Sequence, residues 1–251
     1  MSRFLIDSME DARRRTLKLI DGLDAAQLMG PRLPTVNPLR WEIGHAAYFY
    51  EYWILRQHLG LEPVLASVDS LYNSITIAHD ERWDLPLPSL DDTLAYMRAV
   101  HDRVRRHVEQ DGPDPRRDYL LEYAIYHEDM HTEAFTYTRQ TLAYPTPNIG
   151  SAVPEQLMQD RLAGDTQIPG GTFMLGATPQ DGFVFDNEKW AHAVEVQPFA
   201  IARAAVSNAE YAAFVDAGGY QYAHYWDEAG QAWLQQSGLT RPRYWRRSGD
   251  A

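Results

Sequence analysis

Apolar residues recur at helical spacing along the first 142 residues and predict four long helices. We expect these helices at residues 4–23, 38–60, 90–110 and about 116–142. Asn37 and Ser89 are suitable N-caps for the second and third of them, and Ser89 with Asp92 resembles a capping box. Four helices joined by one long crossover predict a bundle, and ligand sites in bundles are built from inward side chains of facing helices.

The pattern loses its helical period between residues 61 and 88, where aromatic and apolar content favours an ordered loop that covers a site. After residue 165 the chain becomes strand-like and glycine-rich, with candidate strands at 167–177, 183–188 and 192–196 and a short helix at 208–215. We therefore predict an α+β protein: a four-helix bundle at 1–150, a linker with a short helix at 151–165, and a mixed domain at 166–251.

Composition limits the classes of function. The chain has 45% hydrophobic and 23% charged residues, and no apolar run approaches the roughly 18 residues that a membrane span needs. Its net charge of −12 disfavours nucleic acid and anionic membranes as main partners, so small molecules or proteins are expected. The early polar residues do not form a signal peptide, and a cytoplasmic location is expected. The absence of cysteine excludes thiolate sites, which leaves His, Asp and Glu as metal ligands.

His127 and His131 are one helical turn apart, so both imidazoles can reach a single ion. A plain pair of surface histidines has the same spacing. His127-Glu128-x-x-His131 also matches the zinc-protease motif, in which the glutamate is the general base. The extended motif needs a glycine and a histidine where this chain has Ala134 and Tyr137, and the shorter form needs a later carboxylate, for which Glu155 in the linker is the nearest choice.

His45 lies on an aromatic helix face with Trp41, Tyr48 and Tyr52 and is expected to be buried. A hydrogen bond to a carbonyl group or to Glu51 would satisfy a core histidine equally well. Three imidazoles from two helices would form a compact facial set with open positions opposite. The remaining histidines have simpler explanations. We expect solvated side chains for His58, His101 and His107 and structural hydrogen bonds for His192 and His224. His79 lies in the long loop that covers the site.

Three segments together resemble one family: Asn37-Pro-Leu-Arg-Trp-Glu-Ile-Gly-His45, His127-Glu-Asp-Met-His131-Thr-Glu, and Gly170-Gly-Thr-Phe-Met-Leu-Gly176 with Phe185-Asp-Asn-Glu188. The chain resembles the ergothioneine-type non-heme iron enzymes, in which a DinB-like four-helix bundle is fused to a domain like the formylglycine-generating enzyme. The resemblance implies that His45, His127 and His131 bind Fe(II) and that O2 is a co-substrate.

Within this family, Leu71-Tyr-Asn-Ser74 and Asp186-Asn-Glu-Lys-Trp-Ala-His192 are most similar to selenoneine synthases. These join a selenosugar to hercynine, the trimethylated form of histidine. The alternative is an ergothioneine-type sulfoxide synthase, which joins cysteine or γ-glutamylcysteine to hercynine. Ergothioneine enzymes often have a glutamine just before the last ligand, where this chain has Met130, and this departure favours a different donor pocket.

Arg82 in the long loop is the candidate for binding a substrate carboxylate or sugar hydroxyl, against a simple ion pair with Asp80 or Asp84. The family's second domain is usually far longer, so we expect residues 166–251 to be its N-terminal part. A tyrosine that assists oxygen chemistry in some relatives would lie beyond Ala251. A DinB-type metal-dependent thiol transferase using the same histidines, and a non-catalytic binding protein, are further alternatives.

Overall fold

The computed structural model describes residues 2–150 and 162–246. Contacts divide the chain into two compact units: one of Met1–Ser151 with Pro179–Asn187, and one of Ala152–Thr178 with Glu188–Ala251. Most of the predicted linker, including its short helix and Glu155, lies outside the described residues. The domain boundaries at residues 150 and 165 stay predictions.

The first unit contains the four predicted long helices. The first ends at Ile20, earlier than expected, and a π-helical segment extends the second, Glu51–His58. Two short helices lie in segments where no helix was predicted. The helices of this unit are α1 (Ser2–Ile20), α2 (Ala25–Met29), α3 (Leu39–Tyr50), α4 (Val68–Tyr72), α5 (Leu90–Gln110) and α6 (Pro115–Thr141), with a 3-10 turn at His79–Trp83.

Helix starts follow local sequence signals in two cases and not in a third. Ser89 Oγ accepts the Asp92 N–H at 3.1 Å and caps α5 as predicted. Asp114 Oδ1 accepts the backbone N–H groups of Arg116 and Arg117, each at 3.0 Å, and caps α6. The prediction that Asn37 caps α3 is wrong, because Pro38 occupies the cap position and no side chain caps the helix. The Asn37 side chain instead donates to Glu42.

The bundle core lies where α1 packs on α6 and α3 packs on α5 and α6. In α1, α5 and α6 the buried residues recur at about every third or fourth position, as an inward stripe of period 3.6 requires, whereas ten of the twelve residues of α3 are buried. Fully buried apolar side chains from these helices include Met9, Leu39, Trp41, Ile43, Met97, Leu121 and Phe135. Removing their apolar surface from water is the main source of stability in such a core.

The long loop is ordered, as predicted. Its short helix α4 buries Val68, Leu71 and Tyr72 against the bundle. Gly44 of α3 leaves room for this contact, because a Cβ there would lie 2.2 Å from the Tyr72 ring. The close approach brings the backbone carbonyl groups at the end of α4 against the face of α3.

Within its described residues, the second unit contains two antiparallel strand pairs and two α-helices. Strand β1 (Asp165–Ile168) pairs with β4 (Phe199–Ala202), and β2 (Gly171–Leu175) pairs with β3 (His192–Val196). Helices α7 (Asn208–Asp216) and α8 (Glu228–Ser237) follow. The tight turn before β2 requires Gly170, whose φ is +79° and whose added Cβ would lie 2.6 Å from the Val196 carbonyl oxygen.

Residues 183–188 do not form the predicted strand. They form an irregular segment with a 3-10 turn at Asp186–Glu188. Phe183 packs against Tyr119 of α6 with ring centroids 5.1 Å apart, and Tyr119 donates to the Val184 carbonyl at 3.1 Å. Packing on the bundle therefore replaces strand pairing there. The α+β prediction is confirmed. None of the described helices has the length and apolarity needed to cross a membrane.

Candidate metal centre

The imidazoles of His45, His127 and His131 meet in the first unit. Each offers a ring nitrogen, and these three nitrogens lie within 4.8 Å of one another. Helix α3 supplies His45, and α6 supplies the other two one turn apart. Nitrogens at this spacing can bind one divalent ion after small shifts of the rings, since zinc or iron to imidazole bonds are about 2.0–2.1 Å long. The predicted residues are thus brought together.

His45 is held in place by α4. Its Nδ1 lies 2.7 Å from the Tyr72 carbonyl oxygen, which can only accept a hydrogen bond, so Nδ1 carries the proton and donates. This hydrogen bond fixes the tautomer and leaves Nε2 as the nitrogen that can bind a metal. Trp41 stacks on the His45 ring at 4.7 Å and donates its indole N–H to the Leu71 carbonyl at 2.8 Å. The hydrogen bond to a carbonyl group, expected as an alternative to metal binding, is therefore made by Nδ1 of His45. It supports a ligand role for Nε2.

His127 is supported by an aromatic ring. The Phe49 ring stacks on its imidazole at 3.7 Å with the planes only 10° apart. Its Nδ1 is buried and has no hydrogen-bond partner among the described residues. A buried polar atom without a partner is costly and usually marks an unseen ligand or water.

His131 lies next to a carboxylate. Its Nδ1 is 3.8 Å from Glu42 Oε1, is buried, and makes no hydrogen bond within the described chain. Glu42 is itself buried and accepts a hydrogen bond from Asn37 Nδ2 at 2.8 Å. Each of the three histidines therefore contacts a different kind of supporting group: a carbonyl, an aromatic ring and a carboxylate.

Burial keeps His45 and His127 neutral. Desolvation, followed by repulsion from His131, lowers the pKa of His45 to about 3. Burial, followed by the positive charge that His131 and His45 would add, also holds the pKa of His127 well below its usual value. Neutral imidazole is the form that binds metal ions. The converging ring nitrogens and the neutral state of His45 and His127 fit a divalent metal ion.

Glu128 does not face this cluster, although it belongs to the H-E-x-x-H motif. It is 0% exposed and accepts hydrogen bonds from Thr16 Oγ1 at 2.8 Å and from Tyr50 OH at 2.9 Å. Burial raises the pKa of its carboxyl group to about 7. A general base must reach the water at the metal, so this position opposes the zinc-protease interpretation. The interpretation of His127 and His131 as plain surface histidines is opposed by their buried nitrogens.

Arg82 lies near the cluster but forms neither of the ion pairs considered for it. Asp84 pairs with Arg32 at 2.7 Å, and Asp80 contacts His79 at 3.0 Å. The Arg82 guanidinium instead lies 4.0 Å above the Trp41 ring and donates to Asn37 Oδ1 at 2.7 Å. Burial lowers its pKa, while the nearby Glu42 opposes that change.

The other histidines are placed differently from one another. His58 Nε2 lies 2.6 Å from Asp114, and His107 Nδ1 lies 2.5 Å from Asp111. The prediction that His101 is solvated is wrong, because its side chain is buried between α5 and the Tyr50 ring. Burial, followed by repulsion from Arg13, lowers its pKa to about 3.

Sequence reasoning missed Asn37 and Glu42 as parts of the site. Asn37 was assigned to helix capping, and Glu42 was not considered. A signal for Glu42 was present, since it precedes His45 by three residues and therefore shares its helix face. A glutamate on an inward, aromatic face is unusual enough to indicate a polar partner.

Comparisons with known proteins agree with this architecture. The DinB superfamily model matches residues 8–135, and the model of the Sulfatase-modifying factor enzyme 1-like domain matches residues 150–249. Proteins named hercynine oxygenase are 31% identical over 249 residues in Mycolicibacterium smegmatis and 33% identical over 243 residues in Mycolicibacterium thermoresistibile. These alignments cover 98% and 95% of this chain.

The chain spans 58% and 54% of the length of those two relatives. A protein from Thermomonospora curvata named formylglycine-generating enzyme is 42% identical over 74 residues, which are 30% of this chain and 24% of that protein. The family match covers the bundle that holds all three histidines. The chain belongs to the DinB superfamily, with a DinB-like helical bundle followed by a domain like the formylglycine-generating enzyme.

Proposed function

We propose that this protein oxidatively modifies hercynine, using Fe(II) at His45, His127 and His131 and O2 as co-substrate. The similarity to proteins named hercynine oxygenase over nearly the whole chain supports the acceptor and the oxygen dependence. The observation that carries the proposal is the convergence of three imidazoles in the bundle.

The choice of iron rests on the ligand set. A facial set of neutral nitrogen ligands with open positions is typical of iron(II) oxygenases, although a carboxylate commonly takes the third place. Iron would supply the means to use O2 as an oxidant and to bind a sulfur or selenium donor in its nucleophilic form. The protein's own share is to orient the substrates and to keep water and competing groups away. The lack of cysteine suits that task, since no protein thiol can compete for the oxidant.

We propose a selenosugar as the donor, so that the reaction forms a C–Se bond between selenium and the hercynine imidazole. The support is the resemblance of residues 71–74 and 186–192 to selenoneine synthases and Met130, 51% exposed, where ergothioneine enzymes often have glutamine. The second candidate is C–S bond formation with cysteine or γ-glutamylcysteine, which the relatives named hercynine oxygenase favour.

Arg82 is proposed to bind the donor. Its Nε is buried without a hydrogen-bond partner among the described residues, so the guanidinium has an unused donor. Stacking on Trp41 at 4.0 Å holds it near His45, on which Trp41 also stacks. A guanidinium with a fixed orientation is suited to a carboxylate or to neighbouring hydroxyl groups.

The test uses the chain with any sequence that follows Ala251 in its gene. The protein is loaded with Fe(II) without oxygen and then given O2, hercynine and one donor at a time. We expect O2 consumption and a product whose mass shows selenium from a selenosugar. Sulfur incorporation from either thiol, with none from the selenosugar, would replace the first candidate by the second. No O2 consumption with any donor would refute the oxidative reaction and favour the thiol transferase.

Replacing Arg82 by methionine tests the donor site. We expect the KM for the donor to rise about 10-fold or more, with little change for hercynine, since a charge-assisted hydrogen bond is worth about 1.5–3 kcal/mol. Arg32→Met is the matched control, because Arg32 pairs with Asp84 instead of pointing an unpaired nitrogen inward. Equal KM values in the two variants would remove Arg82 from the site.

A further inference from the structure

Glu42 is the buried charged group nearest to the histidine cluster that the proposed reaction does not use. It lies on α3 one turn before His45, is 1% exposed, and faces α6. Its Oε1 lies 3.8 Å from His131 Nδ1, while its Oε2 is buried without a hydrogen-bond partner in the described chain. An isolated buried carboxylate is costly, so its place beside a histidine that also has an unpaired nitrogen requires an explanation.

Two groups hold the carboxylate where it is. Asn37 Nδ2 donates to Oε1 at 2.8 Å, and Asn37 Oδ1 in turn accepts from Arg82 at 2.7 Å. Arg82 also places a positive charge near Glu42. These contacts join the segment before α3, the helix α3 itself and the 3-10 turn at His79–Trp83. Asn37 therefore anchors Oε1, the same oxygen that lies 3.8 Å from His131 Nδ1, and Oε2 has no hydrogen-bond partner among the described residues.

We propose that Glu42 is a positioning residue for the metal centre, accepting the Nδ1–H of His131 and thereby directing Nε2 of that ring to the ion. Oε1, which keeps its hydrogen bond from Asn37, would also accept from the unpaired Nδ1–H of His131 after a movement of about 1 Å, since a charge-assisted N–H···O contact is about 2.7–2.9 Å long. The same bond fixes the tautomer and makes the imidazole a stronger ligand. This inference rests on the proposed three-histidine metal site, but it needs neither the substrates nor O2.

The inference also explains why the three ligands are supported differently. The Tyr72 carbonyl already accepts a hydrogen bond from His45 Nδ1 at 2.7 Å. His131 would gain a carboxylate, which accepts more strongly than a neutral carbonyl. His127 has only the stacked ring of Phe49. The site would then hold its ligands with unequal strength, and His131 would be the most electron-donating of the three.

The test measures Co(II) binding to the substrate-free protein by competition with a chelator. We expect Glu42→Gln to weaken binding about 10–100-fold, the usual effect of losing such a supporting group. The visible absorption bands of bound Co(II) should shift as well, because the ligand field of His131 changes. In proton spectra of the Co(II) protein, one imidazole N–H signal should exchange faster with solvent.

Glu51→Gln is the matched control. Glu51 is also buried on the same continuous helix and accepts from the Tyr96 hydroxyl and the Val64 N–H, away from the histidines. We expect this variant to keep the Co(II) affinity and absorption bands of the unmodified protein, whatever it does to thermal stability. Similar affinity losses in both variants, with unchanged absorption bands, would show a merely structural role and overturn the proposal.

Asn37→Ala provides a second variant if Glu42→Gln does not fold. It leaves the carboxylate in place without its anchor, and we expect a weaker loss of affinity with the same direction of spectral shift. Unchanged affinity and absorption bands in this variant overturn the proposal. A parent protein that binds no Co(II) refutes the three-histidine site itself, whereas tight Co(II) binding without oxygenase activity refutes only the proposed reaction.

Discussion

His127 and Glu128 are neighbours on α6, yet their side chains lie in different clusters. His127 joins His45 and His131, and two ring nitrogens of that cluster are buried without partners in the described chain. Glu128 joins a four-helix polar cluster with one side chain from each long helix: Thr16, Tyr50, His101 and Glu128. Both Glu128 oxygens accept hydrogen bonds there.

This difference distinguishes a candidate metal site from a polar cluster with a structural role. Proteins satisfy almost all buried polar groups, so unpaired buried nitrogens within a group of converging histidines are consistent with a bound ion or water, whereas a satisfied network connects the helices that supply it. In the four-helix polar cluster the buried His101 Nε2 has no hydrogen-bond partner among the described residues, and it lies 3.9 Å from Glu128 Oε2. We infer that the histidine cluster exists for metal binding and costs stability, while the Glu128 cluster connects the helices.

Replacing His127 by leucine should separate the two roles most clearly. We expect the affinity for Co(II) or Fe(II) to fall by more than about 100-fold, because loss of a ligand exceeds the loss of its support. The metal-free variant should be at least as stable as the parent protein within about 1 kcal/mol, since leucine fills the space without a buried unpaired nitrogen. Chelator competition and urea unfolding measure the two effects. A large loss of stability with unchanged metal affinity would instead assign a structural role to His127.

Glu128→Leu should show the opposite behaviour. Tyr50 would lose its acceptor, while Thr16 keeps a contact to the Ala12 carbonyl at 3.3 Å. Leaving a buried donor unpaired costs about 1–3 kcal/mol, and we expect the free energy of unfolding to fall by that amount. Metal affinity should change only a few-fold. The double variant with Tyr50→Phe should recover much of the loss, and a purely additive double variant would contradict the pairing.

His101 should make the stability of the bundle depend on pH. Its pKa falls from 6.5 to about 3 in the folded chain. The unfolded state then binds more protons at low pH, so this contribution is complete above pH 6.5 and is lost as the pH falls toward 3. In His101→Gln we expect the slope of stability against pH to be smaller by up to about 1.4 kcal/mol per pH unit. Urea unfolding across this range measures the slope.

The His101 prediction needs one control and has one independent check. Glu128 acts in the opposite sense, since its raised pKa of about 7 lowers stability as the pH rises from 4.5 through 7. Only the difference between parent and variant isolates the histidine. In addition, the ring protons of His101 should not titrate above about pH 5 in NMR spectra. Titration near 6.5 would mean that this side chain is solvated after all.

Local periodicity predicted much of this molecule. The four long helices and the inward face of His45 follow from apolar spacing, and the pairing of His127 with His131 follows from one helical turn. The burial of His101 and the support of His45 by the Tyr72 carbonyl could not be predicted in this way. They depend on segments distant in sequence, whose positions are set by packing.

Asn37 and residues 183–188 show how tertiary contacts override local signals. An asparagine before Pro38 is a good helix cap by sequence, but Glu42 and Arg82 use both ends of its amide. The apolar, aromatic residues at 183–185 suit a strand by propensity, but stacking on Tyr119 at 5.1 Å places them against the bundle. In both cases a specific tertiary contact therefore explains why the local prediction is wrong.

Phe49→Leu should have the smallest effect on the histidine cluster. The Phe49 ring stacks on His127 at 3.7 Å and is held from its other side by Tyr123 at 5.0 Å. Such contacts are worth about 0.5–1.5 kcal/mol, so we expect Co(II) affinity to fall about 2–12-fold. Tyr123→Leu should lower the Co(II) affinity less, because the Tyr123 ring contacts Phe49. A loss as large as that of Glu42→Gln would mean that stacking orients the ligands as strongly as hydrogen bonding does. Hydrogen-bond pairing would then no longer be enough to distinguish the histidine cluster from the Glu128 cluster.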